Sequence, residues 1–111
     1  MNKYIVTTTI YEPSIAIKKF SELNDWKLIV VGDKKTPHDK YYDLQNCNKN
    51  VIYLDTEYQN ENYNTLSNLI GWNCIQRRNI GYIEAYKRGA DIMLPLMMII
   101  YLMKTGVIIY Y

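Results

Sequence analysis

The stretch Trp26-Lys27-Leu28-Ile29-Val30-Val31, followed at once by Gly32-Asp33-Lys34-Lys35-Thr36-Pro37, decides the fold class. Its first half is an almost continuous apolar run with β-branched residues, which is typical of a parallel strand buried on both faces. Its second half is a polar turn. Strands of this kind occur in sheets that helices cover on both sides, so we expect helices on either side of it.

The segments around this strand alternate between strand and helix patterns. Before it, we predict a strand over 3–10 and a helix opening at Glu12-Pro13-Ser14 and ending at Asn24-Asp25. After it come a polar stretch without clear period over 38–50, a strand over 50–54 and a short helix within 61–71. The clearest helix follows over 74–88, ended by Gly89, and a last strand starts over 90–92. This order predicts an α/β fold with a mainly parallel sheet, right-handed crossovers and flanking helices.

Composition excludes several classes of protein. The chain has 111 residues, enough for one small domain, and 49% of them are apolar, so it can form a packed core. Thirteen basic residues face eleven acidic ones, a balance that does not indicate a nucleic-acid partner. Cys47 and Cys74 fit no metal-binding spacing and no disulfide framework, so we expect a reducing, cytoplasmic location.

The ends of the predicted strands are where a ligand is expected, because α/β sheets bind ligands beyond the carboxyl ends of their strands. Three such ends are Thr8-Thr9-Ile10, Gly32-Asp33-Lys34-Lys35 and Asp55-Thr56-Glu57. The last has the spacing of a metal-binding Asp-x-Asp motif, but we interpret it as a loop leaving the third strand.

A family resemblance rests on three segments taken in order: residues 5–14, residues 26–37 and Gln76-Arg77-Arg78-Asn79-Ile80-Gly81-Tyr82. Together they resemble the start of the STELLO-type glycosyltransferase-like proteins, which occur in plants and giant viruses. The resemblance covers about residues 3–92. It implies a partial GT-A-like (Rossmann-like) fold that binds a nucleotide sugar such as a UDP-sugar. The resemblance is also compatible with a viral protein of the host cytoplasm or virion.

The resemblance also implies which residues contact the nucleotide. Thr8, Thr9 and Ile10 would line the base or ribose, and Asp33 and Lys35 would flank the nucleotide. Arg78 and Asn79 would face the ribose and diphosphate from the start of their helix. This assignment is chemically sensible, because a carboxylate accepts hydrogen bonds from ribose hydroxyls or a uracil N–H and basic side chains neutralise diphosphate oxygens.

The resemblance fails after residue 92. The family implies Mn²⁺ or Mg²⁺ held by an Asp-x-Asp motif after the strand that follows helix 74–88. This chain instead has no Asp or Glu after Asp91, and four of its five methionines lie between 93 and 103. We therefore divide it into a nucleotide-sugar-binding half, 1–92, and an aberrant hydrophobic tail, 93–111. No catalytic and no metal-binding residue is assigned, and we expect a protein truncated before its acceptor half and inactive alone.

A frameshift would explain the tail. Met97-Met98-Ile99 read one base earlier gives GAT-GAT, two aspartates, whatever codons are used, because Met is ATG and every Ile codon begins with AT. In the same way Met103-Lys104 gives a glutamate. One base lost just before Met93 would thus convert a strand running into an acidic metal motif into the sequence observed. The hypothesis requires a Leu96 codon that ends in G for a third aspartate.

The tail has other interpretations. The chain could be a small non-enzymatic α/β binding or assembly module whose tail mediates homo-oligomerisation. Residues 92–111 approach the length that spans a bilayer, but Pro95 and Lys104 disfavour a membrane anchor. A hairpin of 99–103 with 107–111 is a third alternative.

Overall fold

The computed structural model of the chain describes residues 1–104, except the side chains of residues 102 and 103. Over the described residues, ten regular elements follow one another: β1 (Lys3–Thr8), α1 (Ile15–Ser21), β2 (Trp26–Val31), α2 (His38–Cys47), β3 (Val51–Leu54), α3 (Thr56–Asn62), α4 (Asn64–Ile70), α5 (Arg78–Lys87), β4 (Ile92–Pro95) and α6 (Leu96–Lys104). A single 3-10 turn, Ile75–Arg77, leads into α5.

The four strands form one parallel sheet in the order β3-β2-β1-β4. Ile5 in β1 lies opposite Leu28 in β2 and Leu94 in β4. This arrangement confirms the predicted α/β class and is compatible with a Rossmann-like fold. The chain winds from β1 to β3 in one direction and then returns to place β4 on the other side of β1, so the winding reverses beside β1.

Helices cover both faces of the sheet and form two cores. One core packs Ile17 and Phe20 of α1, Tyr41 of α2 and Ile99 of α6 against alternate strand residues such as Leu28. The other core lies under α3, α4 and α5 and consists of Tyr4, Val6, Ile29, Val31, Leu54, Tyr63, Ile80 and Ala85. Because both sheet faces are buried, Leu28 to Val31 are all apolar, which explains the run that predicted this strand.

Side-chain caps set where two helices begin. Ser14 accepts a hydrogen bond from the backbone N–H of Ile17 at 3.2 Å, so α1 starts after Ser14 and is shorter than predicted at both ends. Asp55 caps α3 by accepting from the N–H of Tyr58 at 2.7 Å. The interpretation of Asp55-Thr56-Glu57 as a loop was therefore wrong, because Thr56 and Glu57 begin a helix.

Helix α2 occupies most of the stretch 38–50, for which no element was predicted. It buries Tyr41 fully, whereas its other side chains are exposed or half-buried. A helix that buries so little apolar surface gives a weak periodic signal, which explains the omission.

The start of the tail belongs to the same fold. Strand β4 crosses the predicted boundary after residue 92, because Met93, Leu94 and Pro95 pair with β1. Leu96 and Ile99 of α6 are 8% and 1% exposed in the core that α1 covers. The hairpin prediction was wrong for 99–103, which lie in α6, while 107–111 lie outside the described residues. Within residues 1–104, no helix combines the length and apolar character needed to cross a membrane.

Candidate functional site

A cleft of about 500 Å³ opens at the carboxyl edge of the sheet, beyond the ends of β1 and β2. Three segments line it: the loop after β1, the loop after β2, and the segment before α5. The lining residues are Thr8, Thr9, Ile10, Tyr11, Asp33, Lys35, Asn73, Cys74 and Ile75. The cleft thus lies next to β1, where the winding of the sheet reverses, which is where α/β proteins bind ligands.

Asp33 is the buried acidic group of this cleft, with 2% of its surface exposed. Its Oδ1 accepts a hydrogen bond from the N–H of Lys34 at 2.7 Å, and its Oδ2 accepts from the N–H of Asn73 at 2.8 Å. A carboxylate has about four lone-pair directions, so each oxygen retains capacity for a donor on a ligand.

Two threonine hydroxyls join the loops that form the cleft floor. Thr36 Oγ1 accepts from the N–H of Asp33 at 2.7 Å and donates to the carbonyl of Thr9 at 2.6 Å. Thr8 Oγ1 donates to the carbonyl of Val31 at 2.7 Å. These bonds hold the end of β1 against the end of β2, so the floor is pre-formed.

The rim of the cleft is apolar on two sides and positively charged at one point. Ile10, Tyr11 and Ile75 are 38%, 73% and 60% exposed and line the same cleft, so they offer apolar surface to a ligand. Lys35 is exposed beside them. The arrangement suits a ligand with a flat ring, polar ring edges and an attached anionic group.

The structure brings together five of the seven residues expected to contact nucleotide. Thr8, Thr9, Ile10, Asp33 and Lys35 all line the cleft. Arg78 and Asn79 do not; they begin α5, where Arg78 is half-buried and Asn79 is exposed.

Sequence reasoning missed the third wall of the cleft, Asn73, Cys74 and Ile75. Asn73 has φ 61°, a left-handed conformation that Asn tolerates better than most residues. The Asn residue could have hinted at this turn, but eleven asparagines in the chain dilute the signal.

The residues at the end of β4 do not fit the divalent metal that the sequence resemblance implies. Strand β4 leads directly into Leu96, Met97 and Met98, which offer no oxygen ligand on their side chains. Among the described residues, no group of three or more His, Cys, Asp or Glu side chains is placed to hold a metal ion.

Fold and cleft together define an α/β protein with a cleft, the candidate ligand site, at the carboxyl edge of a parallel sheet. No family model matches the chain. It is similar to the probable glycosyltransferase STELLO2 of Arabidopsis thaliana, with 29% identity over 89 residues. The match covers 79% of this chain but 11% of the plant protein. It supports a glycosyltransferase-like relationship, at low identity and over a small part of that protein.

Proposed function

We propose that this chain is the nucleotide-sugar-binding part of a glycosyltransferase-like protein and that its cleft binds a UDP-sugar. The observation that carries the proposal is the convergence of three segments on one cleft around the buried carboxylate of Asp33. The similarity to a probable glycosyltransferase supports it from a separate direction.

The pose we propose follows from the chemistry of the lining. The base lies between the apolar residues of the rim, with its one ring N–H toward Asp33, and the ribose lies against Thr8 and Thr9. Lys35 neutralises the diphosphate. Arg78 and Asn79, expected at the ribose and diphosphate, lie at the start of α5 outside the lining of the cleft, and the pose gives them no contact.

The test is a thermal melt in the presence of UDP. A ligand at 100 times its Kd stabilises the folded state by about 2.7 kcal/mol, which is a rise of several degrees in the Tm of a domain of this size. We expect this rise for the natural sequence and for Asp25→Ala, an exposed carboxylate at the opposite edge of the sheet. We expect Asp33→Ala to abolish it.

A second variant separates binding from stability, because Asp33 is also part of the fold. The exposed Lys35→Ala removes a charge without uncovering core, so it should weaken UDP binding more than uridine binding in calorimetry. No UDP-dependent rise in Tm, or the same rise in Asp33→Ala, would contradict the proposed function.

A second candidate is the non-enzymatic assembly module, which the surface of α6 favours. Met97, Met98 and Tyr101 are 76%, 45% and 63% exposed on this helix. The proposed partner is a second copy of the chain.

Deleting residues 93–111 would be a poor test, since it removes β4 and the buried Ile99. Met97→Lys combined with Tyr101→Lys leaves both in place, and sedimentation velocity should show concentration-dependent dimers that this double variant loses.

A further inference from the structure

The segment 71–75, which we name the strap, forms one wall of the cleft through Asn73, Cys74 and Ile75. Two of its residues have left-handed backbones, Gly71 with φ 79° and Asn73 with φ 61°. The N–H of Asn73 donates to Asp33 Oδ2 at 2.8 Å, so the strap also closes over the buried carboxylate. A left-handed non-glycine residue costs free energy, so contacts elsewhere must hold the strap in this shape.

The buried side chain of Arg77 supplies the contacts that hold the strap in this shape. Its side chain is 0% exposed. Nη1 donates to the carbonyl of Gly71 at 3.0 Å and to that of Ser67 at 3.1 Å, at the two ends of the turn that leads from α4 into the strap. The guanidinium carbon also lies 3.7 Å from the centre of the Trp72 ring, so the cation packs on a strap side chain.

The other guanidinium nitrogen connects the strap to the sheet. Nη2 donates to Ser67 Oγ at 2.9 Å and to Gln59 Oε1. The amide of Gln59 in turn donates to the carbonyl of Gly32 at 2.8 Å and to that of Leu54 at 2.9 Å. Gly32 directly precedes Asp33. One buried network therefore holds both the strap and the start of the loop that carries the carboxylate.

The charge of Arg77 is poorly compensated for a buried group. No carboxylate of the described residues forms an ion pair with it, and its Nε is buried without a hydrogen-bond partner. Burial lowers the pKa of Arg77, while the negative charge of Asp33 acts against this. A buried cation of this kind costs free energy that a packed apolar side chain would not. Its hydrogen bond to the carbonyl of Gly71 and its contact with Trp72 therefore indicate a use beyond filling space.

We propose that Arg77 is a positioning residue of the cleft. It fixes the strap over Asp33, so that the N–H of Asn73 stays on the carboxylate and the wall of the cleft is present before any ligand arrives. Its effect on the strap stands without the proposed function, and its effect on ligand affinity rests on it.

The experiment compares Arg77→Met with Glu84→Gln. Glu84 centres another buried polar network on the same side of the sheet that does not touch the strap. Amide hydrogen exchange measured by NMR gives the opening of the strap, read at Asn73 relative to Ile29 in the core. In Arg77→Met we expect the protection of Asn73 to fall about tenfold relative to Ile29, and in Glu84→Gln to follow Ile29.

Calorimetry with UDP gives the second readout. Affinity should fall about tenfold in Arg77→Met and stay within about twofold in Glu84→Gln. Ser67→Ala removes one acceptor of Arg77 with little loss of packing, and it should loosen Asn73 in the same direction. It decides the question if Arg77→Met does not fold.

The outcomes separate the two proposals. Unchanged protection of Asn73 in the folded variants, or an equal loss in Arg77→Met and Glu84→Gln, overturns the positioning role. Loss of protection at Asn73 with no UDP binding by the natural sequence supports the positioning role and overturns the proposed function instead.

Discussion

At the scale of residues, two buried carboxylates are satisfied in different ways. Asp33 accepts from two backbone N–H groups and faces a cleft. Glu84 accepts from side chains alone: Oε1 from the hydroxyls of Tyr58 and Tyr63 at 2.9 and 2.7 Å, and Oε2 from Arg88 Nε at 2.7 Å. Glu84 is 5% exposed and joins α3, and Tyr63 between α3 and α4, to α5. The first arrangement leaves room for a ligand, whereas the second fastens helices together.

Glu84 should make the stability of the fold depend on pH. Burial alone would raise the pKa of Glu84, but hydrogen bonds from Tyr63, Arg88 and Tyr58 outweigh it and hold this pKa below its ordinary value. Ionised Glu84 therefore stabilises the fold above the unfolded-state pKa, and this contribution is lost as the pH falls through the folded-state pKa. We expect Glu84→Gln to cost about 1–3 kcal/mol at pH 7, with the difference shrinking below about pH 5.

Urea unfolding at a series of pH values measures this effect. The control is Glu61→Gln, an exposed carboxylate on α3, which should change the unfolding free energy by less than about 0.5 kcal/mol at every pH. A cost for Glu84→Gln that grows as the pH falls would show the opposite linkage.

At the scale of elements, Gly81 lets α5 approach the sheet. A Cβ at this position would lie 2.5 Å from Val6 Cγ1 and 2.8 Å from Val31 Cγ2, closer than such atoms can approach. Gly81→Ala should therefore destabilise the fold by about 1–3 kcal/mol, because α5 must move away from β1 and β2. Tyr86→Ala on the exposed side of α5 is the control, and thermal melts compare the two. Equal Tm values would mean that α5 does not pack this closely.

Helix α6 contains part of the hydrophobic tail, and a substitution in it can test whether this part contributes to the stability of the fold. Ile99 is 1% exposed against α1 and the sheet, whereas Met97 is 76% exposed. Ile99→Ala should cost about 2–5 kcal/mol in the free energy of unfolding, and Met97→Ala close to nothing. Chemical denaturation of both variants measures the difference. A neutral Ile99→Ala would show that α6 does not pack in the core.

The elements differ in how far sequence predicts them, and the reason is the surface that each one buries. Strand β2 was predicted to the residue, because burial on both faces leaves a continuous apolar run. Helix α2, with one fully buried side chain, gave no period. At the start of the tail, an apolar run that we interpreted as a strand, a hairpin or an anchor forms a short strand and then, over Leu96–Lys104, a helix that tertiary packing decides. The frameshift hypothesis stays a prediction for the nucleotide sequence around codon 93.

The candidate site shows the same limit. Its floor was predictable, because it is formed by the residues that follow two strands, Thr8-Thr9-Ile10 and Gly32-Asp33. A parallel sheet brings the carboxyl ends of its strands together at one edge. Its third wall comes from the strap, forty residues further along than Asp33, which no local pattern connects with it. Arg77 and Arg78 are adjacent and alike in sequence, yet Arg77 is buried under the strap and Arg78 is half-buried at the start of α5. Neighbouring residues of a helical turn point in different directions, and which of the two arginines points into the core depends on how the turn packs against the rest of the fold.

At the scale of the whole molecule, the four-stranded sheet with two covered faces presents one carboxyl edge, and the cleft lies where the winding reverses beside β1. The same topology places the end of β4 next to this edge, where a metal-dependent glycosyltransferase needs carboxylates. Here that position leads into the apolar helix α6, and the sequence has no Asp or Glu after Asp91. The molecule thus combines a formed cleft with an end of β4 that offers no metal ligand.

Nucleotide binding by this chain should therefore not depend on a divalent cation. A metal that bridges carboxylates and diphosphate would strengthen binding steeply, but Lys35 is the charged group that the cleft offers to the diphosphate. We expect the Kd for UDP in calorimetry to agree within about twofold in EDTA and in millimolar Mn²⁺. We also expect no sugar transfer from UDP-sugars in either condition. Tighter binding by tenfold or more in Mn²⁺ would reveal a metal site that the described residues do not form, and measurable transfer would contradict the assignment as a binding portion alone.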